Sequence, residues 1–253
     1  MKYLITGSNS DISKALGHEL LNLGHQVVFT CSTEASKNSA ESYWSEKGQK
    51  VEFVVFNFTQ PDKSEKEIQS LKIDGIILNA WKKVDELKDF HEFNDQEIDS
   101  ELMENVKGNV KLLQQVLPAM VDKQFGRILY ISSVAATSGT SKYGLYCLGK
   151  SALEGLIKNL AVDYGKYNIT ANILRPGIIK TERTKRFWSR EYYAKRMSKG
   201  IPSARLGEPS DIARASLPFL EENCYMNGAE VNVSGGLPLI STAGALKDSK
   251  DQE

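Results

Sequence analysis

The 253-residue sequence has no excess of either charge, because 32 basic side chains balance 32 acidic ones. Nucleic-acid binders generally need a basic surface that displaces counterions from phosphates, so the balance argues against that class. The three cysteines, Cys31, Cys147 and Cys224, lie far apart and form no C-x-x-C motif. This is typical of reduced thiols in a cytoplasmic protein, and neither the cysteines nor the three scattered histidines predict a metal site.

Long apolar runs are also missing, since none approaches the roughly 18 residues of a membrane-spanning helix. A strand-like segment starts almost at once, at Tyr3, which leaves no room for a signal peptide. No linker rich in proline, glycine or serine divides the chain. We therefore expect a soluble, cytoplasmic protein with one domain over residues 1–246 and a polar tail over residues 247–253.

What the sequence does contain is a regular alternation of strand-like and helix-like segments. Three apolar stripes with helical spacing start at Ile12, Ile98 and Leu148. Strands covered on both faces are predicted at Tyr3–Thr6, Gln26–Cys31, Val51–Phe56, Gly75–Leu78, Arg127–Ser132, Ile169–Leu174 and Glu230–Val233. The alternation predicts an α/β fold of the Rossmann type, a doubly wound parallel sheet of about seven strands with helices on both faces.

The loop after the first predicted strand stands where such folds bind a dinucleotide pyrophosphate, but it is poor in glycine. It reads TGSNSDIS over residues 6–13, with Asp11 and Ser13 where a glycine-rich loop has its second and third glycines. Ser10 or Asp11 could instead be a simple helix N-cap. An aspartate fits beside a pyrophosphate only if its carboxylate turns away.

The end of the second predicted strand bears on the choice between NAD and NADP. An acidic residue there would favour the ribose hydroxyls of NAD, whereas a cation would suit a 2′-phosphate. This chain has Ser32 and Thr33, which can donate hydrogen bonds, and Lys37 lies a few residues further on. The segment favours NADP(H) over NAD(H).

A tyrosine and a lysine four residues apart, Tyr146 and Lys150, share one face of the third helical stripe. A neighbouring ammonium lowers the pKa of a phenol, which can then exchange a proton with a carbonyl or alcohol. Ser133 precedes this pair and stands at the end of a predicted strand, where open α/β sheets bind ligands. Tyr43 and Lys47 have the same spacing, but they lie on a polar segment and indicate a solvated pair.

Together with Asn105, these three residues resemble the catalytic tetrad of the short-chain dehydrogenase/reductase family. Further segments resemble family motifs along almost the whole chain: Asp74–Ala80, Asn172–Gly177, Arg205–Pro209 and Asn227–Gly236. The branch that the chain resembles most is that of the 3-oxoacyl-[acyl-carrier-protein] reductases. Leu78 and Trp81 depart from the motif of the fourth strand, and Trp81 could crowd the cofactor, wall the substrate pocket or pack under a loop.

The resemblance implies hydride transfer between a nicotinamide and a carbonyl carbon. Tyr146 would protonate the developing alkoxide, Lys150 would hold the nicotinamide ribose and lower the pKa of Tyr146, and Asn105 would anchor a relay water. Ser133 would bind the substrate oxygen, with Tyr146 and Trp81 as the other substrate-binding residues. The implied cofactor-binding residues are Gly7, Ser8, Ser10, Ile12, Ser32, Thr33, Asn57, Phe58, Asn79, Ala80, Tyr146, Lys150, Pro176, Gly177, Ile179 and Thr181, with the Asn57 side-chain oxygen facing adenine.

The zero net charge hides two segments of opposite sign. Residues 180–205 contain nine bases and two acids, a net charge of plus seven (9 − 2), in the stretch that forms the substrate lid in the family. The lid could recruit an acyl-carrier-protein or coenzyme A thioester, or it could be a solvated amphipathic helix. Residues 85–104 contain nine acids and one lysine, a net of minus eight (1 − 9), which could rim an interface or be solvated.

These observations predict an NADP(H)-preferring oxidoreductase that interconverts a ketone and a secondary alcohol, such as a 3-oxoacyl-thioester reductase. One alternative is a member of the same family that acts on a small free metabolite, such as a sugar or a specialised metabolite. A second is a non-catalytic binding or scaffold protein. The resemblance also implies a homotetramer or homodimer.

Overall fold

The computed structural model describes residues 1–82 and 87–239. The predicted polar tail, residues 247–253, lies outside the described residues, as do Asp85 and Glu86 of the acidic segment. No helix within the two described ranges is long and apolar enough to cross a membrane.

Seven parallel strands form one sheet in the order β3-β2-β1-β4-β5-β6-β7, which confirms the predicted fold class. The strands are β1 (Lys2–Thr6), β2 (Gln26–Cys31), β3 (Glu52–Val55), β4 (Gly75–Leu78), β5 (Gly126–Ile131), β6 (Ile169–Pro176) and β7 (Glu230–Val233). Each lies within two residues of its predicted bounds. The order reverses between β1 and β4, so the connections that leave these two strands diverge and open a crevice at the carboxyl edge of the sheet.

Helices cover both faces of this sheet. They are α1 (Asp11–Asn22), α2 (Glu34–Glu46), α3 (Glu65–Ser70), α4 (Asp95–Ser100), α5 (Gly108–Asp122), α6 (Ala135–Ser138), α7 (Gly144–Tyr164), α8 (Glu191–Lys199) and α9 (Pro209–Ser216), with short 3₁₀ turns between some of them.

Alternate residues of each strand point to opposite faces, and this divides the core in two. On β1, Tyr3 and Ile5 pack on the face covered by α1, α2 and α9. Leu4 points to the other face, where α3, α5 and α7 lie. The strands of the sheet centre therefore bury both faces, which explains why they read as continuous apolar runs.

One feature of the fold is absent from the sequence prediction. The stripe that starts at Ile98 is not one α-helix: between α4 and α5 the chain forms a π-helical segment, Glu101–Lys107. The wider turn places Glu101 and Asn105 inside the protein and leaves Met103 48% exposed. Such segments are rare and often occur at functional sites.

Candidate active site

A cleft of about 560 Å³ opens at the carboxyl edge of the sheet, over the point where the strand order reverses. It lies between the loop after β1, the ends of β2, β3 and β4, and the chain that follows β6. Twelve of the predicted site residues line it: Gly7, Ser8, Ser10, Ile12, Ser32, Asn57, Phe58, Asn79, Ala80, Trp81, Asn105 and Thr181.

The loop after β1 is tied closely to the end of β4. Gly7 has a φ of +83°, and a methyl group there would lie 3.2 Å from the Ala80 Cβ, so this position needs glycine. The Thr6 hydroxyl accepts hydrogen bonds from the backbone N–H groups of Asn79 and Ala80, both at 2.8 Å. Ser13, at a glycine position of the motif, accepts a hydrogen bond from Asn79 Nδ2 at 2.8 Å. The serine at position 13 therefore adds a hydrogen bond between α1 and the end of β4, which a glycine at this position could not make.

The start of α1 is open toward the cleft. Ser10 holds the N-cap position, but its side chain caps no backbone N–H and instead accepts a hydrogen bond from Asn79 Nδ2. Asp11 also lines the cleft, and its carboxylate accepts a hydrogen bond from the backbone N–H of Glu182 at 2.9 Å. One oxygen of the carboxylate is thus engaged by a backbone N–H, while the N-terminus of α1 attracts an anion.

Two predicted cofactor-binding residues, Ser8 and Thr33, use their hydroxyl groups in hydrogen bonds within the protein. The Ser8 side chain is buried, and its hydroxyl accepts a hydrogen bond from the Cys31 thiol. Thr33 caps α2 through its hydroxyl oxygen, which accepts the Ser36 N–H at 3.1 Å, and Thr33 does not line the cleft. Ser32 does line it.

The Asn57 side-chain oxygen is hydrogen-bonded within its own turn. Asn57 Oδ1 accepts hydrogen bonds from both the backbone N–H and the hydroxyl of Thr59, at 2.9 and 2.8 Å. Both lone pairs of this oxygen are therefore used within its own turn, although Asn57 lines the cleft, and its contact with adenine stays a prediction. Phe58 lines the cleft and packs edge-to-face against Phe56.

Ser133, Tyr146 and Lys150 converge next to this cleft without lining it. Ser133 follows β5, and its hydroxyl lies against the phenol of Tyr146 on α7, where it acts to lower the phenol pKa. Lys150 is buried, and its ammonium donates a hydrogen bond to the Ile131 carbonyl at 2.9 Å. The sequence predicted this grouping from strand-end position and helical spacing.

Trp81 separates Lys150 from the open cleft. The centre of its ring lies 4.0 Å from Lys150 Nζ and 6.2 Å from the ring centre of Tyr146. Its backbone carbonyl accepts a hydrogen bond from Arg183 Nη2 at 3.0 Å. Of the three roles that the sequence left open, the structure favours the first, since the indole occupies space between the cleft and the lysine.

The predicted effect of Lys150 on the pKa of Tyr146 stays a prediction. Burial raises the pKa of Tyr146 overall, while the Ser133 hydroxyl and the positive charge of Arg183 lower it. Lys150 Nζ lies 5.9 Å from the Tyr146 ring centre, further than from Trp81. Arg183, from the segment after β6, is thus a cation whose charge lowers the phenol pKa and that the sequence did not predict.

In the structure, Asn105 makes hydrogen bonds to three other residues, through its side chain and its backbone carbonyl. Its Oδ1 accepts the backbone N–H of Lys82 at 2.7 Å, and its Nδ2 donates to Glu101 Oε2 at 2.8 Å. Its carbonyl accepts a hydrogen bond from Asn109 Nδ2 at 2.6 Å. Asn105 therefore fixes the backbone that follows Trp81.

Sequence reasoning missed Glu101 and Arg183 as residues of this site. The signal for Glu101 was its spacing, because it stands four residues before Asn105 in an otherwise apolar stripe. Arg183 was visible only as one of nine bases, and no pattern separates it from the other eight.

The predicted residues after β6 form the root of the lid rather than the cleft wall. Gly177 donates its N–H to the Val233 carbonyl at 3.1 Å, and Ile179 is buried and bridges to Gly207. Pro176 ends β6 and is also buried. Thr181, two residues beyond Ile179, reaches the cleft.

Part of the positive charge of the lid, residues 180–205, is neutralised by acidic side chains outside those residues. Lys180 pairs with Glu208 at 2.6 Å, and Arg205 pairs with Asp211 at 2.7 Å. The net charge of plus seven thus falls to plus five (7 − 2). The acidic segment is likewise not all solvated, since Glu101 is buried and Glu104 pairs with Lys82.

A cleft at the switch point of a doubly wound sheet, with an uncapped helix end on one side and a serine, tyrosine and lysine beside it, defines an oxidoreductase of the dinucleotide-binding type. Comparison with known proteins agrees. The family described as Enoyl-(Acyl carrier protein) reductase matches residues 7–238.

Among curated proteins, the chain is 32% identical over 243 residues to the 3-oxoacyl-[acyl-carrier-protein] reductase FabG of Haemophilus influenzae, covering 93% of this chain and 97% of the relative. It is 29% identical over 244 residues to FabG of Escherichia coli, covering 94% and 97%. Among solved structures, ElxO with NADP bound superposes with a TM-score of 0.84 at 26% identity, covering 93% of this chain and 97% of that one. The chain belongs to the short-chain dehydrogenase/reductase family and is an oxidoreductase of that family.

Proposed function

We propose that this oxidoreductase uses NADP(H) to interconvert a ketone and a secondary alcohol, and that its substrate is a 3-oxoacyl thioester. The observation that carries the proposal is the convergence of Ser133, Tyr146 and Lys150 beside the cleft at the switch point. A carbonyl oxygen placed between Ser133 and Tyr146 would meet two hydroxyl donors at once.

The residues present fit a dinucleotide. Gly7 lets the backbone pack closely, the first turn of α1 is not capped by a side chain, and the Asp11 carboxylate is engaged by the Glu182 N–H. When bound, the nicotinamide supplies or accepts the hydride. Ser133 orients the carbonyl oxygen, and Tyr146 gives it a proton during reduction and takes one during oxidation.

The preference for NADP(H) rests on the end of β2. Ser32 is exposed at the cleft, and no acidic side chain follows β2 until Glu34. Lys37 is close enough to the cleft wall for its charge to lower the pKa of Cys31, whose overall rise is due to burial. A cation and the Ser32 hydroxyl suit a 2′-phosphate better than a bare ribose. The bound NADP of ElxO, a relative of 26% identity, supports this choice.

The thioester substrate is supported by the FabG relatives and by the remaining positive charge of the lid. A small free metabolite would need no such charge.

We also propose that the protein is cytoplasmic and forms a homodimer or homotetramer through the π-helical segment, α5 and α7, where Met103 and Leu148 stay 48% and 46% exposed.

The decisive experiment is a substrate panel with NADPH and NADH. It contains a 3-oxoacyl thioester, a trans-2-enoyl thioester, and small ketones including keto sugars. Turnover of the 3-oxoacyl thioester with NADPH is expected. Turnover of the keto sugars alone would favour the small-metabolite alternative. If neither cofactor shows saturable binding by fluorescence, the protein is the non-catalytic alternative.

A further inference from the structure

Glu101 is a buried carboxyl group that the proposed chemistry does not use. Only 8% of the residue is exposed. Its Oε2 accepts a hydrogen bond from Asn105 Nδ2 at 2.8 Å, whereas its Oε1 is buried and has no hydrogen bond of good geometry among the described residues; the nearby Trp81 side chain acts to lower the carboxyl pKa. A buried carboxylate that is only half satisfied is costly, so its presence requires an explanation.

The free oxygen of Glu101 lies against the helix that carries Lys150. A methyl group added to Gly149 would collide with Glu101 Oε1, and it would also lie only 2.9 Å from Trp81 Cζ2. Glycine at position 149 therefore allows the carboxylate and the indole to approach α7 one residue before Lys150. The carboxylate and the Trp81 ring therefore both border Gly149, and the same ring faces the Lys150 ammonium.

Lys150 needs a counter-charge, because aromatic rings surround its ammonium. The ring centres of Trp81, Tyr130 and Tyr146 lie 4.0, 5.0 and 5.9 Å from Nζ. Rings stabilise a cation far less than water does, so burial in this place favours the neutral amine. The hydrogen bond to the Ile131 carbonyl offsets part of that cost.

The charged and titratable groups that face Lys150 come from several elements. Arg183, after β6, opposes its positive charge. Glu154, on α7, favours it, but the Glu154 carboxylate is held by Arg175 through contacts of 2.8 and 2.6 Å, so most of its charge is already offset. The phenols of Tyr130 and Tyr146 are neutral, because burial raises the pKa of both. That leaves Glu101, which has no salt bridge among the described residues.

We propose that Glu101 is a positioning residue whose carboxylate keeps Lys150 protonated within its aromatic enclosure, while its other oxygen holds Asn105. The proposal deepens the function proposed above and rests on it. Glu101 acts through Lys150 and Asn105 and does not touch the substrate. The directions of the pKa shifts agree: burial lowers the pKa of Lys150 and Glu101 raises it, whereas burial raises the pKa of Glu101 and Lys150 lowers it.

The test is Glu101→Gln, which keeps an oxygen for Asn105 and removes the charge. Without the carboxylate the pKa of Lys150 falls further, so the protonated form is lost at a lower pH. In the pH profiles of kcat/KM and of NADPH affinity, the alkaline limb should move to lower pH by about 0.5–1 unit. Near pH 6.5 the variant should resemble the wild type, and Glu101→Asp should restore part of the shift.

Asp99→Asn is the matched control, because Asp99 is exposed on the adjoining helix and loses the same charge. Its profiles should not move. A loss in Glu101→Gln that is equal at every pH, or an unchanged profile, would overturn the proposal. NMR titration of the Lys150 side chain in labelled protein, assigned with Lys150→Met, needs neither cofactor nor substrate. It therefore tests the pairing even if the proposed function fails.

Discussion

At the scale of single residues, Tyr146 is the group whose chemistry is most directly testable. Tyr146→Phe removes the proton donor and leaves the ring that packs against Trp81 and Tyr143. Turnover should fall by about 10²–10⁴-fold, the range of a lost general acid, with NADPH affinity within a few-fold of wild type. Steady-state kinetics and fluorescence titration measure the two quantities. Tyr164→Phe, at the far end of α7, is the control, and retained turnover in Tyr146→Phe would refute the assignment.

Trp81 supports a second prediction at this scale. Trp81→Ala uncovers Lys150, so we expect NADPH to bind more tightly, by about three- to ten-fold, because the indole no longer has to move aside. The variant should also lose about 2–4 kcal/mol of unfolding free energy, since a large, partly buried ring is removed. Binding titrations and urea denaturation test both effects. Trp81→Phe should be intermediate, and weaker NADPH binding in Trp81→Ala would show instead that the indole forms part of the binding surface.

At the scale of elements, a hydrogen bond joins the start of α1 to the segment after β6. The Asp11 carboxylate accepts the Glu182 N–H, at the start of the 3₁₀ turn Glu182–Phe187. Asp11→Ala removes this acceptor, so the segment should open more often and the substrate KM should rise by about two- to ten-fold, as for the loss of one ordinary, solvent-exposed hydrogen bond.

Asp11→Asn keeps an oxygen acceptor and is therefore the matched control for the loop contact. The rate of trypsin cleavage within residues 182–199 gives a second measurement, which should increase in Asp11→Ala and not in Asp11→Asn. Equal KM values and equal cleavage rates in both variants would mean that the contact does not restrain the lid.

Also at this scale, the π-helical segment decides which side chains enter the site. An α-helix through residues 98–120 would turn continuously, as the apolar stripe predicts. The wider turn at Glu101–Lys107 instead brings Asn105 and Glu101 inside together. A propensity pattern cannot predict this, because the extra residue in the turn is stabilised by tertiary contacts such as that between Asn105 and Lys82.

At the scale of the whole molecule, charge is distributed unevenly although it sums to zero. With a lid charge of plus five after ion pairing, kcat/KM for an anionic thioester should fall about three- to ten-fold when ionic strength rises from 0.02 to 0.3 M. An uncharged ketone should show no such dependence. Lys195→Gln combined with Lys199→Gln should reduce the salt effect, whereas Lys47→Gln with Lys50→Gln, exposed on another face, should not. A flat response for the thioester would argue against electrostatic recruitment.

Much of this molecule is determined by its sequence. Strands such as Gln26–Cys31 and Glu230–Val233 follow from apolar runs of the right length, and their alternation with helical stripes fixes the layered fold because only that arrangement buries both faces of the strands. The pairing of Tyr146 with Lys150, and the place of Ser133 at a strand end, follow from the same regular spacings.

The tertiary structure alone decided what surrounds those residues. It placed Trp81 over Lys150, turned Asp11 toward Glu182, used the Asn57 oxygen within its own turn, and brought in Arg183, whose charge lowers the pKa of Tyr146. The physical reason is that periodicity fixes the direction in which a side chain leaves its own helix or strand. Its partners, burial and pKa depend on side chains from elements far away in the sequence, and these meet only when the chain is folded.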